Sequence, residues 1–168
     1  VRPARESRRA QSIEKVQRFI NEEKPATPFL VVDLDVIADN YRTLRRTLSM
    51  AQVFYAVKAN PAPEVIARLV ALGSSFDVAS PSEISLVLAA GAEPSEISFG
   101  NTIKKEADIA SAFKLGVRLF AFDSMAELEK LARSAPGAKV FCRLLTTCEG
   151  ADWPLSRKFG CEIDMAHD

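Results

Sequence analysis

The chain has 168 residues, 48% of them hydrophobic, with a mean hydropathy of +0.01. That is enough apolar side chain for one domain with a core, and it excludes a disordered polymer and a bundle of membrane spans. Lys and Arg together number 22, as do Asp and Glu, so no net field draws the chain to nucleic acid or an anionic membrane, although a phosphate-bearing small ligand stays open.

Residues 1–11, with Arg2, Pro3, Arg5, Arg8 and Arg9, read as a solvated or frayed basic terminus. Ile13, Val16, Phe19 and Ile20 then recur at helical spacing, which predicts a helix over 12–23 with Ser12 as its cap. Asn21 to Pro25 ends it, and 1–28 forms a first segment. Phe29 to Val32 reads as a strand, followed by an amphipathic helix over about 35–48. Val36, Ile37, Tyr41, Leu44 and Leu48 share one face of that helix, leaving Arg42, Arg45 and Arg46 to solvent. Residues 29–50 thus form a second segment, a strand and a helix that lead into the remainder of the chain.

From residue 51 to 168 the pattern is regular. Strands are predicted at 52–57, 75–78, 97–99, 119–122 and 139–143, each pair separated by an amphipathic helix, at intervals of roughly 20 to 23 residues. Such a rhythm marks successive βα units and a parallel sheet. Ser80-Pro81-Ser82-Glu83 and Ser124-Met125-Ala126-Glu127 carry capping spacing, and Gly73, Gly91 and Gly116 each follow a helical run. Five units make either a small doubly wound, flavodoxin-like sheet or the first part of an eight-stranded barrel, which typically needs about 250 residues. The pattern stops in mid-course, so the chain is expected to be part of a longer polypeptide.

Three charges stand at equivalent strand ends. Lys58 follows the apolar run Val53 to Val57, Asp77 ends the second strand among apolar neighbours, and Arg143 ends the fifth. Alternation puts Phe54, Ala56 and Lys58 on one face. In a barrel these ends meet at the face where such folds bind ligand, which makes the trio a candidate site; the bland alternative is that the three charges neutralise one another. Cys142, Cys148 and Cys161 lack C-x-x-C or zinc-finger spacing and fit free thiols in a reducing cytoplasm. No metal is expected, and the sole histidine, His167, is expected at the surface.

Several ordered motifs then carry a resemblance. Phe54 to Asn60, Phe76-Asp77-Val78-Ala79-Ser80 with Glu83, Phe99 to Lys104, Phe122-Asp123-Ser124 and the run Trp153 to Cys161 closely resemble the fold-type III pyridoxal-phosphate decarboxylases, most closely their bacterial ornithine/lysine branch. The resemblance covers about residues 29–165. It implies the first five βα units of a (β/α)8 barrel of the alanine racemase and ornithine decarboxylase type, preceded by a helix and a strand that join a second, β domain. It implies that Lys58 holds pyridoxal 5'-phosphate covalently, that Asp77 is an acid near that lysine, and that Arg143 lies beside the cofactor. Lys158 matches a lysine near the interface of a homodimer whose active sites are shared.

The implied activity is decarboxylation of a basic amino acid, ornithine to putrescine in polyamine synthesis. Lysine, diaminopimelate and carboxynorspermidine decarboxylases, and alanine racemase, are alternatives within the class, and a catalytically silent regulatory homologue lies outside it. The His-x-Gly-Ser segment, glycine-rich phosphate loop, pyridine-binding Glu and Cys-Asp pair of the family have no match here. The fragment alone is therefore expected to be inactive.

Overall fold

The computed structural model describes residues 2–146, 150, 152 and 159–166, with side chains from Arg9 onward, in two units, Val1–Ala51 and Gln52–Asp168. The first contains helices α1 (Arg2–Glu23) and α2 (Leu34–Thr47). Helix α1 begins ten residues before the expected Ser12, because Ala4, Arg5, Arg8, Arg9, Ala10 and Gln11 are good helix formers and Pro3 suits the first turn. Ser12 is therefore no cap. Its hydroxyl donates instead to Asp33 Oδ2 at 2.8 Å, while Lys15 Nζ reaches Asp33 at 3.1 Å and Asp35 at 2.8 Å. Asp33 is the true cap of this region, accepting the Asp35 N–H at 2.9 Å to start α2. Phe29 to Val32, predicted as a strand, forms none in this structure, since a strand needs a ladder partner and the described residues offer it none.

The second unit realises the predicted rhythm. Strands β1 (Phe54–Ala56), β2 (Ser75–Val78), β3 (Ile97–Phe99), β4 (Leu119–Phe122) and β5 (Lys139–Cys142) form one sheet. Helices α3 (Pro63–Val70), α4 (Pro81–Ala89), α5 (Glu106–Lys114) and α6 (Met125–Ser134) connect them. Every pairing is parallel and the spatial order is β1-β2-β3-β4-β5. This order decides between the two expected architectures. A doubly wound sheet reverses direction at a switch point, whereas here each connection steps the same way, and crossovers of the general right-handed kind then leave their helices on one side, as in a (β/α)8 barrel.

Packing reflects that arrangement. Phe76, Phe99 and Phe120 from adjacent strands are fully buried, with Phe99 and Phe120 ring centroids 6.1 Å apart. Ile66 and Leu69 of α3, Ile84 and Val87 of α4, Ile109 of α5 and Leu131 of α6 complete the core. On β5, which among the described residues pairs only with β4, Lys139, Val140 and Phe141 are exposed. Gly73, Gly91 and Gly116 end their helices with positive φ, as predicted. Ser80 caps α4 by accepting the Glu83 N–H at 3.3 Å, and Ser124 caps α6 by accepting from Glu127 at 3.4 Å.

Glu127 does not close a capping box; it leaves α6 for a buried cation. Lys104, with its side chain fully buried, bonds Asn101 O at 2.8 Å, Ala121 O at 2.6 Å and Glu127 Oε1 at 2.9 Å, and Lys130 closes on the other Glu127 oxygen. Burial pulls the Lys104 pKa down, while Glu127 chiefly, and Asp123 from further off, favour the ammonium. Glu127→Gln keeps the shape and removes that ammonium's contacting counter-charge. Its unfolding free energy in urea should fall by about 3 kcal/mol or more, and a loss below about 1 kcal/mol would remove the pair from the stability of the fold.

Candidate active site

Asp77 is placed by sheet register. It sits one residue before the end of β2, opposite Ala56 of β1 and Ser98 of β3, in a half-buried position between two fully buried neighbours, Phe76 and Val78. Burial pushes its pKa up. The buried Ser98 hydroxyl and the positive charges of Lys58 and Arg143, acting through space, pull it back down, while Glu83 opposes ionisation. Glu83 is itself fixed, accepting the Ala79 N–H at 2.7 Å.

The carboxylate has one further neighbour that its charge does not explain. A Cβ on Gly100 would lie 2.0 Å from Asp77 Oδ1 and 2.8 Å from Oδ2, so the space the acid occupies exists only because residue 100 is glycine. Gly100 is the first residue beyond β3, and its N–H donates to Val78 O at 3.0 Å, which holds it against the acid. Neither Gly100 nor Ser98 stands out in the sequence as a site residue. Their proximity to Asp77 depends on strand register, although the Phe99-Gly100-Asn101 motif offers a signal for the glycine.

Lys58 reaches the site differently from expectation. Strand β1 ends at Ala56 and Val57–Ala59 forms a 310 turn, which interrupts the strand alternation, buries Val57 completely and leaves Lys58 exposed. Two contacts brace the turn: the Tyr55 hydroxyl donates to Asn60 O at 3.2 Å, and Asn60 Oδ1 accepts the Ala62 N–H at 3.0 Å. Lys58 thus emerges two residues beyond the partner of Asp77, near enough for its charge to act on that carboxylate.

Arg143 is the first residue after β5, its N–H donating to Phe122 O at 2.8 Å. The exposed guanidinium lies 5.5 Å from the centroid of the Phe159 ring, a cation–π contact. Gly160 anchors this returning segment by donating its N–H to Asp123 Oδ2 at 3.0 Å. Its φ of +117° and a backbone only 2.8 Å from the place of a Cβ both demand glycine. The structure therefore brings the charges of Lys58, Asp77 and Arg143 to one sheet edge. Lys158, His167, Cys148 and Trp153 lie outside the described residues. Among the described residues no group of three or more His, Cys, Asp or Glu could hold a metal ion, and no helix is long and apolar enough to cross a membrane.

Chemically, a half-buried acid with an amine and a guanidinium each within electrostatic reach of it can attach a carbonyl, steer its proton and hold an anion. The comparisons place the chain in a family. Residues 34–168 match the family model described as pyridoxal-dependent decarboxylase, pyridoxal binding domain. A lysine/ornithine decarboxylase of Selenomonas ruminantium is 41% identical over 142 residues, covering 84% of this chain and 36% of the relative. The structure of the Vibrio vulnificus lysine/ornithine decarboxylase complexed with putrescine superposes with a TM-score of 0.80 at 32% identity, over 94% of this chain and 40% of that one. The arginine decarboxylase of Paramecium bursaria Chlorella virus gives 0.74 at 30% identity, over 78% and 36%. This chain thus spans little more than a third of the length of these relatives.

The geometry around Asp77 sets two expected outcomes. Gly100→Ala should destabilise the protein by about 1–3 kcal/mol, and by much less when Asp77 is also replaced by Ala, since the clash then has no partner. Chemical denaturation of the four proteins of that cycle measures the coupling, and an unchanged cost in the double variant would mean that Gly100 serves something other than the acid. The pH dependence has a definite sign: folding raises the Asp77 pKa, so its ionised form costs stability above that raised value and nothing below the ordinary aspartate range. Asp77→Asn should therefore melt higher than the parent at neutral pH and lose that advantage as the medium is acidified. A variant that melts lower at neutral pH would show that Lys58 and Arg143 outweigh burial.

Proposed function

This chain belongs to the pyridoxal-dependent decarboxylases, and from that premise we propose that the protein to which it contributes removes CO2 from a basic amino acid, L-ornithine foremost, giving putrescine for polyamine synthesis. The convergence of Lys58, Asp77 and Arg143 at the C-terminal edge of a sequentially ordered parallel sheet carries the reading. These residues suit pyridoxal 5'-phosphate: an amine for its aldehyde, a guanidinium for its anionic charge and a carboxylate beside the amine. When bound, the cofactor supplies an electron sink for the pair left behind by departing CO2.

The chain's own residues have distinct tasks. Lys58 Nζ would hold the cofactor through its aldehyde, and Asp77, on which the Lys58 charge acts, would balance that nitrogen as an ammonium whenever it is free. Burial, which raises the Asp77 pKa above that of an ordinary aspartate, makes it a readier proton carrier at that nitrogen. Arg143, backed by Phe159, offers a fixed positive charge at the rim. Ornithine is placed ahead of lysine and arginine on the resemblance of the motifs, and the relatives named for lysine/ornithine and arginine decarboxylation support a basic substrate in general. The protein is proposed to work as a homodimer with shared sites. A cytoplasmic location is proposed on the free thiols of Cys142 and Cys161.

The test uses the full-length protein loaded with pyridoxal phosphate. Borohydride reduction should fix the cofactor on the peptide containing Lys58, and Lys58→Ala should abolish that label and the release of CO2. Arg143→Ala should weaken cofactor binding by about 10- to 100-fold, the worth of one charge-assisted contact. Side-by-side turnover of ornithine, lysine, arginine and diaminopimelate ranks the substrates. Label on a different lysine, or CO2 release that survives Lys58→Ala, overturns the assignment.

A further inference from the structure

Cys142 closes β5, and Cys161 lies on the segment that returns over the end of that strand; their sulfur atoms are 3.4 Å apart. The main chain enforces the approach. Cys161 N–H donates to Arg143 O at 2.9 Å, Leu145 N–H donates to Cys161 O at 2.9 Å, and Leu144 and Cys161 form a parallel bridge. Gly160, locked by its positive φ and its bond to Asp123, fixes the residue just before Cys161. The two thiols therefore face each other because the backbone around them is pinned on both sides.

Both are free, Cys161 is buried with 7% of its surface exposed, and Cys142 is half-buried. A disulfide bond is about 2.0 Å long, so side-chain rotation and a small backbone shift must close roughly 1.4 Å. Neither sulfur has a part in the chemistry assigned to Lys58, Asp77 and Arg143.

We propose that Cys142 and Cys161 are a redox-modification site, a reversible disulfide that fastens the 159–161 segment to the end of β5 and is made by exchange with a small disulfide of the glutathione class. The Cys142 thiolate, the more accessible of the two, attacks one sulfur of glutathione disulfide, forming a mixed disulfide and releasing one glutathione thiolate. The Cys161 thiolate then attacks the Cys142 sulfur, the Cys142–Cys161 bond forms, and the second glutathione leaves. The two cysteine protons pass to the two departing thiolates. The protein loses two electrons and the small disulfide gains them. Burial, the facing thiol and Asp123 push the Cys142 pKa up, which keeps the first step slow at neutral pH.

Full-length protein is incubated with glutathione disulfide in mildly alkaline buffer, alkylated, digested without reductant and mapped by mass spectrometry. One peptide pair joined through Cys142 and Cys161 is expected, and it disappears on adding a reductant. The oxidised protein should also melt at a higher temperature, a gain absent from Cys161→Ser. A link from either residue to Cys148, or glutathione adducts on the cysteines with no link between them, overturns the proposal. The mapping needs neither cofactor nor activity, so its result is independent of the functional reading, and the wild-type protein alone decides it if a variant fails to fold.

Discussion

A carboxylate held half-buried between parallel strands is the constraint around which the second unit is arranged. Asp77 stands between Phe76 and Val78, both fully buried, so solvent alone cannot keep it charged. Its surroundings divide into groups that favour the ion and one that opposes it: Ser98, Lys58 and Arg143 against Glu83. Those groups come from the ends of β1, β3 and β5 and from the start of α4. Only a sheet whose strands all run the same way can present so many C-terminal ends to one acid, and the pairing of all five strands meets that condition.

The glycine beside the acid shows how closely charge and backbone are fitted. Gly100 leaves β3 with its N–H bonded to Val78, and the missing side chain is the volume that Asp77 fills. Gly160 does the corresponding work on the opposite side of the site, where its absent side chain lets the returning segment lie on the backbone of Leu144 and Leu145. Phe159 then backs Arg143 and Asp123 receives the Gly160 N–H. The rim charges thus rest on two places where main chain meets main chain or side chain without room for a Cβ.

Much of this was legible in the sequence, and what was not has identifiable causes. The five strands fall where alternation and spacing place them, because parallel buried strands are short apolar runs with glycine and capping punctuation on either side. Asp77 could be placed on its strand for the same reason, whereas Arg143, expected to end the fifth strand, lies one residue beyond it. Lys58 could be named but not oriented: Val57 enters a 310 turn, and strand periodicity says nothing once the strand has ended. Ser98 and Gly100 were invisible as neighbours of Asp77 because proximity across a sheet is a property of register, not of sequence distance. Phe29 to Val32 has strand composition without a partner, and Ser12 has cap chemistry inside a run of residues that already favour helix. Local preference lost to context in both.

The buried lysine behind β3 bears on how this fold can diversify. Lys104 ties the carbonyl of Asn101 to the carbonyl of Ala121 and to α6 through Glu127, so the connection from β3 to α5 is clamped at its middle to elements further along the chain. Lengthening that connection would draw an ammonium out of a closed cage of oxygens. One internal charge thereby holds that stretch of the rim to a fixed length.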